Sequence, residues 1–442
     1  MKKTIFLVLI SVLLIGLIGC TSNEAPTQPV EPQDTEEATQ APEPEETEET
    51  GPVTIAFWYP YGEGTWTGDF LAAKIDEFNA ANADITVEGQ SFEDYGSIVE
   101  SIQRAAAAKE LPGVVTIAYG FDEYIVGSGL ATPLSELLGS EDPDYLDDFF
   151  PSLIEATTID GEVYGVPLAL SVAEVFYHSD LFEQAGLDPN NPPQNWDEFL
   201  AAAQTIHEEL GIYGATTAMD DTWIFETMVR SNGGDFLSED GTTALLDSDI
   251  AVETLSEWAA GVADGSFLYN ADFLETLQSF GAGQVAMFAV SSYGTLIYKD
   301  IAPLVMAMPW PAAEGYTIKS PAGGNSLYVF GNNDAERAAA AKLVVFLTNT
   351  EANAEWAMNS GYLPTRQSAL DSMTDFITGF DNYQTAVDGI SNVVPAVQFP
   401  GKNDPLIRDY IMDALEAALL GEKDAATALT EANEEINTLL NE

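Results

Sequence analysis

The sequence has 442 residues, with 72 acidic and 14 basic side chains, so its formal net charge at pH 7 is −58. Such a chain repels nucleic acid and anionic membrane surfaces, which excludes both as primary partners. Its single cysteine, Cys20, excludes disulfides, a cysteine metal cluster and a cysteine nucleophile in the rest of the chain.

The first twenty residues have the pattern of an export signal. Lys2 and Lys3 precede an apolar run at 5–18, which suits a signal peptide and is short for a membrane span. The run closes on Gly19-Cys20, which resembles the cleavage site of bacterial lipoproteins, where the cysteine becomes the lipidated N-terminus. We therefore predict a signal peptide at 1–19 and a lipid on Cys20. The alternative is an ordinary signal peptide with a chance cysteine.

The segment that follows is strongly acidic. Residues 21–50 carry ten acidic side chains and five prolines, with no basic and no aromatic residue. Such a segment cannot bury enough apolar surface to offset the entropy of ordering it, so it is expected to stay disordered. We predict that 20–52 is a lipidated, acidic tether between membrane and body. A trimmed pro-segment is the alternative, but its cleavage would discard the anchor.

The body begins with alternating strands and helices. Apolar runs predict strands at 53–58, 85–87 and 114–118, and helical spacing predicts helices at 70–78 and 98–109 between them. Leu111-Pro112-Gly113 ends the second helix. This order predicts a parallel sheet with helices on its faces.

Turn and cap signals continue along the chain. Asp160-Gly161 predicts a hairpin, Asn195 with Glu198 begins a capped helix, and Gly211 follows the end of that helix. Further helices are predicted at 249–263, 271–280, 334–349 and 405–420, and further strands at 284–290, 304–308 and 325–330. The body is long enough for two cored lobes, and it is either one α/β unit or two lobes that the chain visits more than once.

No catalytic signature is present in the sequence. It lacks the Gly-x-Ser-x-Gly elbow, the phosphate loop and the paired-histidine zinc motif. His207 is predicted to be a solvated helix residue, and the run 141–144 lacks the glycine and spacing of a calcium loop. Paired carboxylates could serve glycosidic chemistry, but 72 acidic residues make close pairs uninformative. We therefore predict no metal, no cofactor and no enzymatic activity.

Aromatic side chains gather just after the first strand. Trp58, Tyr59, Tyr61 and Trp66 lie in a segment that contains glycines. Ligands of open α/β sheets bind outside the carboxyl ends of strands, and sugar rings stack on aromatic faces. We predict a carbohydrate site here; the alternative is that these rings belong to the core or the surface. Trp223 is a further candidate on the same reasoning.

Several segments, in order, are similar to a known family. They are 161–167 (GEVYGVP), 175–189 (VFYHSDLFEQAGLDP), 193–198 (PQNWDE), 283–287 (GQVAM), 308–311 (MPWP), 323–329 (GGNSLYV) and 361–364 (GYLP). Together they resemble the substrate-binding proteins of sugar ABC importers, of the glycerol-3-phosphate and maltose type. The glycerol-3-phosphate branch is the more similar, through 289–292 (AVSS), 323–324 and 361–362.

The resemblance implies a type II periplasmic-binding-protein-like α/β fold with the ligand cleft between two lobes. One lobe would comprise 53–169 plus 325–360, and the other 170–324 plus 361–442. Matching motifs carry over five ligand-binding residues, in addition to Trp58 and Trp223: Tyr95, Ser171, Ser292, Gly324 and Tyr362. The glycerol-3-phosphate branch binds the phosphate with an arginine in the segment that matches 397–402. This sequence departs from that pattern, because it has no arginine there and none before Arg408. An uncharged sugar, oligosaccharide or polyol is therefore the better expectation.

The implied function is high-affinity capture of a small carbohydrate and its delivery to ABC transporter permease subunits by hinge closure. The protein would be a monomer anchored by its lipid to the outer face of the cytoplasmic membrane, extracellular or periplasmic. A lipid-anchored glycoside hydrolase would instead need two cleft carboxylates at a catalytic separation. An anchored carbohydrate sensor would share the fold and lack permease partners.

Overall fold

The computed structural model describes residues 52–138, 145–218, 221–270, 272–301 and 304–441. The predicted signal peptide, the lipidation site at Cys20, the tether up to residue 51 and the acidic run 141–144 lie outside the described residues. None of the helices in the described part of the chain has the length and hydrophobicity needed to span a bilayer.

The described chain alternates strands and helices throughout. The strands are β1 (Val53–Tyr59), β2 (Ile85–Ser91), β3 (Val114–Ala118), β4 (Thr158–Ile159), β5 (Glu162–Val163), β6 (Gly165–Ser171), β7 (Ala173–His178), β8 (Tyr213–Ala218), β9 (Phe267–Asn270), β10 (Val285–Ser291), β11 (Val305–Pro309), β12 (Ser320–Pro321), β13 (Gly323–Val329) and β14 (Val393–Val394). The helices are α1 (Trp66–Ala81), α2 (Tyr95–Ala108), α3 (Asp122–Gly127), α4 (Leu134–Leu138), α5 (Pro151–Ala156), α6 (Ser179–Gln184), α7 (Trp196–Leu210), α8 (Trp223–Ser231), α9 (Asp249–Asp264), α10 (Phe273–Gly281), α11 (Gly294–Ile301), α12 (Asp334–Thr348), α13 (Thr350–Ser360), α14 (Gln367–Ser372), α15 (Thr374–Thr378), α16 (Asp381–Gly389), α17 (Asp404–Leu419) and α18 (Ala425–Leu440).

The first five-stranded sheet has the order β2-β1-β3-β13-β6. Strand β1 pairs in parallel with β2 and β3, which confirms the parallel sheet predicted from the first three strands. Strand β13 runs antiparallel to both β3 and β6. The sheet thus combines the first part of the body with a strand that returns more than 150 residues later.

The second five-stranded sheet has the order β11-β7-β10-β8-β9. Strand β8 pairs in parallel with β9 and β10, whereas β7 runs antiparallel to β10 and β11. All five strands come from the chain between Ala173 and Pro309. Val172 is the one residue between β6 of the first sheet and β7 of the second, so the chain changes sheets in a single step.

The residues from which turns and helix caps were predicted do form them in the structure. Asp160 and Gly161 have positive φ values of 53° and 83°, as the two-residue turn between β4 and β5 requires. The Asn195 side chain accepts from the Glu198 amide at the start of α7, and Gly211 ends that helix at φ 69°. One prediction differs: α1 begins at Trp66 and not near residue 70, because Thr65 caps the helix by accepting from the Gly68 amide.

Each sheet has its own apolar core. The core of the first sheet includes Phe57 and Leu71, and that of the second includes Phe199 and Trp258. A third cluster surrounds the segments where the chain passes between the sheets; it contains Leu170, Val172, Ala322 and Leu363. Apolar packing therefore continues through the connection between the two sheets.

Candidate functional site

A cavity of about 1020 Å³ lies where strands of both sheets end. Its lining includes Ala118 at the end of β3, Ser171 at the end of β6 and Ser291 at the end of β10. The other walls come from α2, α3, α8 and α17. A cavity at the carboxyl ends of strands is the place where open α/β sheets bind ligands. Its volume is at the upper end of the range for small-molecule pockets.

Trp223 supplies a half-buried aromatic wall of this cavity. Its indole Nε1 donates to the carbonyl oxygen of Pro321 at 3.0 Å, which holds the ring in place. The ring edge lies over Gly323, where a Cβ would come 2.8 Å from the ring and would also clash with the hydroxyl of Ser171. Glycine at position 323 therefore allows Trp223 and Ser171 to meet at one point of the lining.

The hydroxyl of Ser171 is available to a ligand. The residue is 2% exposed and lines the cavity, and its side chain has no hydrogen bond within the part of the chain that the structure describes. Because the residue lines the cavity, this hydroxyl can bond to a ligand hydroxyl beside the ring of Trp223.

Tyr95 and Tyr362 form another part of the wall, and further tyrosines contact them from behind. Asn325 donates through Nδ2 to the hydroxyl oxygens of Tyr61 at 2.6 Å and Tyr95 at 2.8 Å. The ring of Tyr362 lies 4.9 Å from that of Tyr293. Burial raises the pKa of Tyr61, Tyr95 and Tyr362 above the usual tyrosine value. These hydroxyls therefore stay neutral, and those of Tyr95 and Tyr362 can exchange hydrogen bonds with a ligand.

Arg408 faces the cavity from α17, and most of its N–H groups already have acceptors. Its Nε donates to Asp404 at 2.7 Å, one terminal nitrogen donates to Thr222 at 3.1 Å, and the other donates to the carbonyl oxygens of Gly120 at 2.9 Å and Val397 at 3.1 Å. Burial opposes its charge, but the surrounding carboxylates raise its pKa, with Asp404 contributing most. The guanidinium therefore acts as a structural cation.

A second buried ion pair stands next to it. Arg230 donates to Glu226 at 2.8 Å, and the same carboxylate oxygen accepts from the amide of Val397 at 2.9 Å. Burial raises the pKa of Glu226, although Arg230 opposes this shift. Among the described residues, no group of three or more His, Cys, Asp or Glu side chains is arranged to hold a metal ion.

Five of the seven residues that the sequence singled out lie together on this lining. They are Tyr95, Ser171, Trp223, Gly324 and Tyr362. The structure thus brings together residues from five different stretches of the chain, and their part in binding stays a prediction.

Trp58 and Ser292 lie outside the lining. Trp58 is 8% exposed and packs in an apolar cluster with Ile98, its ring 5.0 Å from that of Phe92. Ser292 is fully buried; its hydroxyl accepts from the amide of Val172 at 3.1 Å, and its own amide donates to the Val172 carbonyl at 2.8 Å. Both residues therefore have structural contacts, and the neighbouring Ser291 faces the cavity instead.

Several lining residues were missed by the sequence reasoning. Tyr119 directly follows β3, so the rule that ligands bind after strands could have indicated it. Asp221, Glu226 and Arg408 stand on or beside helices and have no local signal, because their grouping depends on contacts between distant segments.

Known proteins are similar to this chain over most of its body. A model of the family described as bacterial extracellular solute-binding protein matches residues 73–379. The sn-glycerol-3-phosphate-binding periplasmic protein UgpB of Brucella abortus (strain 2308) is 27% identical over 398 residues, which cover 86% of this chain and 91% of that protein.

Solved structures agree in fold. The cyclic alpha-maltosyl-1,6-maltose binding protein from Arthrobacter globiformis is 25% identical with a TM-score of 0.75, covering 88% of this chain and 99% of the other. Maltose-bound MalE3 of T. maritima has a TM-score of 0.77 at 23% identity, covering 88% of this chain and 100% of the other. These matches confirm the prediction of a two-lobed α/β fold.

Proposed function

Because the chain belongs to the bacterial extracellular solute-binding protein family, we propose that it captures a small carbohydrate and delivers it to an ABC transporter permease. The ligand is a sugar, oligosaccharide or polyol. The observation that carries this proposal is the meeting of Trp223 and the unpartnered hydroxyl of Ser171 at Gly323. Aromatic faces stack on the C–H faces of sugars, and a free buried hydroxyl bonds to theirs.

Delivery proceeds by closure of the two lobes around the ligand. The lobes are 53–169 plus 325–360 and 170–324 plus 361–442, joined where the chain passes between the sheets. Val172 and Ala322, in the apolar cluster at this connection, lie close to two of these boundaries, just after β6 and just before β13. A ligand that contacts both lobes binds the closed form better than the open form and shifts the equilibrium toward closure. The permease then recognises the closed form.

The cavity favours an uncharged carbohydrate over a phosphorylated one. The relatives include proteins named for sn-glycerol 3-phosphate, but the arginine that faces this cavity, Arg408, is neutralised by Asp404 at 2.7 Å and occupied by three further oxygens. Its charge is thus already paired, and few of its N–H groups are left for a phosphate. The net charge of −58 also slows the approach of anions.

The protein works outside the cytoplasm, held by a lipid. Relatives of this extracellular family are named as periplasmic proteins. The sequence 17–20 (LIGC) and the acidic stretch behind it support a lipid on Cys20 and a tether of about 30 residues, which spans roughly 30 Å root-mean-square.

A thermal-shift screen of the full-length protein against sugars and polyols tests the proposal. A ligand present at 100 times its dissociation constant stabilises the protein by about 2.7 kcal/mol. We expect at least one neutral carbohydrate to raise the melting temperature, and the Trp223→Ala variant to show a smaller response at the same ligand concentration. Absence of any response across the library, or hydrolysis of the best ligand during incubation, would contradict the proposal. Loss of carbohydrate uptake on deletion of the gene separates a transport component from a sensor.

A further inference from the structure

The lining of the cavity extends along the whole of helix α2. Four of its residues recur at every fourth position and so form one stripe on a single face of the helix. They are Tyr95, Val99, Gln103 and Ala107. From Tyr95 to Ala107 the helix rises by about 18 Å. A pyranose ring is about as long as one helical turn of roughly 5.4 Å, so the stripe has room for about three rings in a row.

Helix α17 supplies the other side of the cavity. Pro405, Arg408 and Met412 lie on the lining, and their spacing of three and four residues places them on one face of α17. Helix α2 packs on β1 and β3 of the first sheet, whereas α17 packs on α9, which contacts β9 of the second sheet. The cavity is therefore a groove whose two walls come from different sheets.

The two walls are already in contact beside the groove. Gln398 lies between Val397 and Phe399, which belong to the core of the second sheet. Its Nε2 donates to Oδ2 of Asp122 at 2.7 Å, and its Oε1 accepts from the amide of Glu123 at 3.1 Å. Both partners lie at the start of α3, which follows β3 of the first sheet. The cavity of about 1020 Å³ therefore belongs to a conformation whose two sides are joined, and a single ring would leave most of its length unoccupied.

The groove is closed at one end and open at the other. At the closed end, the hydroxyl of Tyr95 accepts from the side-chain amide of Asn325 at 2.8 Å, and Val99 is 4% exposed. Gln103 and Ala107, at the other end of the stripe, are exposed to solvent. A chain of sugar units can therefore bind with one terminal unit enclosed while the other end projects into water.

The open end of the groove has contacts that a single enclosed ring does not reach. Gln103 lies about 12 Å along the helix from Tyr95. Its Nε2 donates to the hydroxyl of Tyr124 on α3, a half-buried residue of the same lining. The ring of Tyr124 can stack on the C–H face of a sugar, and the carbonyl oxygen of Gln103 can accept from a sugar hydroxyl. We call Tyr124 and Gln103 the outer subsite.

We propose that the ligand is an oligosaccharide of about three sugar units, matching the length of the α2 stripe, with one terminal unit at Trp223 and Ser171 and a later unit at the outer subsite. This inference rests on the proposed function, because it selects one ligand class among sugars, oligosaccharides and polyols. Each added unit makes new contacts with the groove, whereas the rigid-body freedom lost on binding is lost only once. Affinity therefore increases with chain length until the groove is filled.

Ligands of increasing length test the inference on the full-length protein. Calorimetric titration would compare the one-, two-, three- and four-unit members of the malto-, cello-, xylo- and manno-oligosaccharides, and of the series built from the best sugar in the thermal-shift screen. In at least one series we expect the affinity to increase about 10-fold or more from one unit to three. It should then level off, because the open end of the groove leaves further units in water.

Two other outcomes would be distinguishable. If the three-unit member binds no more tightly than the single sugar in every series, or if only monosaccharides and polyols bind, the inference is overturned and the proposed function stands. Absence of binding by every series, together with a silent carbohydrate library, overturns the proposed function itself.

A variant pair assigns the effect to the outer subsite. Tyr124→Ala should weaken binding of the three-unit ligand about 10-fold and leave the affinity for the shortest binding member unchanged. The control is Tyr164→Ala, because Tyr164 packs against the same apolar cluster as Tyr124 but is not part of the lining, and it should keep the parent's ratio of the two affinities. An unchanged ratio in Tyr124→Ala overturns the outer subsite. If an unliganded melt shows that Tyr124→Ala is misfolded, Gln103→Ala, at an exposed position of α2, must lower the ratio for the inference to stand.

Discussion

Arg408 of α17 donates a hydrogen bond of 2.9 Å to the carbonyl oxygen of Gly120, two residues beyond the end of β3. Helix α17 packs against α9 on the side of the second sheet, whereas β3 is the central strand of the first sheet. The ring of Phe121, next to Gly120, lies 4.6 Å from the guanidinium. One side chain therefore joins the two sides of the cavity.

Removal of the Arg408 guanidinium should cost stability. Arg408→Gln leaves Asp404, which is 1% exposed, as a buried carboxylate without a counter-ion, and breaking a buried ion pair in this way costs about 3–5 kcal/mol. Urea denaturation of the unliganded protein measures this loss. The control Arg104→Gln breaks an exposed ion pair with Glu100 and should cost less than about 1 kcal/mol. An Arg408→Gln variant as stable as its Arg104→Gln counterpart would contradict the structural role.

The tryptophans Trp223 and Trp58 should respond in opposite ways to truncation. Trp223→Ala should weaken carbohydrate binding about 5- to 150-fold, since an aromatic residue at the centre of an interface contributes about 1–3 kcal/mol, and its unliganded melt should stay close to normal. Trp58→Ala removes a core side chain and should cost about 3–5 kcal/mol of stability with little effect on affinity. Calorimetric titration beside an unliganded melt separates the two. Weakened binding by a stable Trp58→Ala protein would argue against this division.

Glu174 makes stability depend on pH. It is 1% exposed, its Oε1 accepts from Thr295 at 3.1 Å, and burial raises its pKa to about 8, against an opposing effect of that hydrogen bond. The folded pKa lies above the unfolded value of about 4.5. The stability that the protonated Glu174 contributes is therefore fully present below pH 4.5 and is lost as pH rises toward 8. The loss is up to about 1.4 kcal/mol per pH unit.

The Glu174→Gln variant should remove this dependence. Urea denaturation at pH 5, 7 and 9 would follow the difference in unfolding free energy between the variant and the parent. We expect the unfolding free energy of the variant, relative to that of the parent, to increase as pH rises and to level off above pH 8. Glu183→Gln, at an exposed site on α6, is the control and should track the parent. A difference that does not change with pH would show that Glu174 is ionised in the folded protein.

The lipid anchor can be tested without a ligand. Cys20→Ser should release the protein from membranes, because it removes the thiol that would carry the lipid. Fractionation of cells producing parent and variant measures the release, and titration with the best carbohydrate should give the same affinity for both. Continued membrane fractionation of Cys20→Ser through a lipid would contradict the assignment.

The sequence predicted the elements of the fold better than the lining of the cavity. The spacing of apolar residues and the helix-capping residues located β1–β3 and most long helices, since these elements depend on residues that are close in the chain. It was harder to predict which face of the sheet a given strand residue occupies. Ser291 lines the cavity and Ser292 is buried behind it, although the two are adjacent. Successive side chains near the end of a strand point to opposite sides, so an error of one residue exchanges a ligand contact for a structural one.

The charged part of the site could not be predicted from local patterns. The hydrogen bond between Arg408 and Gly120 spans 288 residues, and Asp221 acquires its environment only when α8 and α17 meet. In a chain with 72 acidic residues, no single aspartate is distinguished by its neighbours in sequence. Trp58 illustrates the same limit, because the strand pattern alone does not tell which face α2 covers.

The one-residue connection at Val172 restricts how the gene can vary in length. Both backbone groups of Val172 are bonded to Ser292, and Ala173 directly begins the pairing of β7 with β10. An inserted or deleted codon here would turn every following side chain of β7 to the opposite face of its sheet. Differences in length among descendants of this protein should instead accumulate in exposed loops such as 238–243.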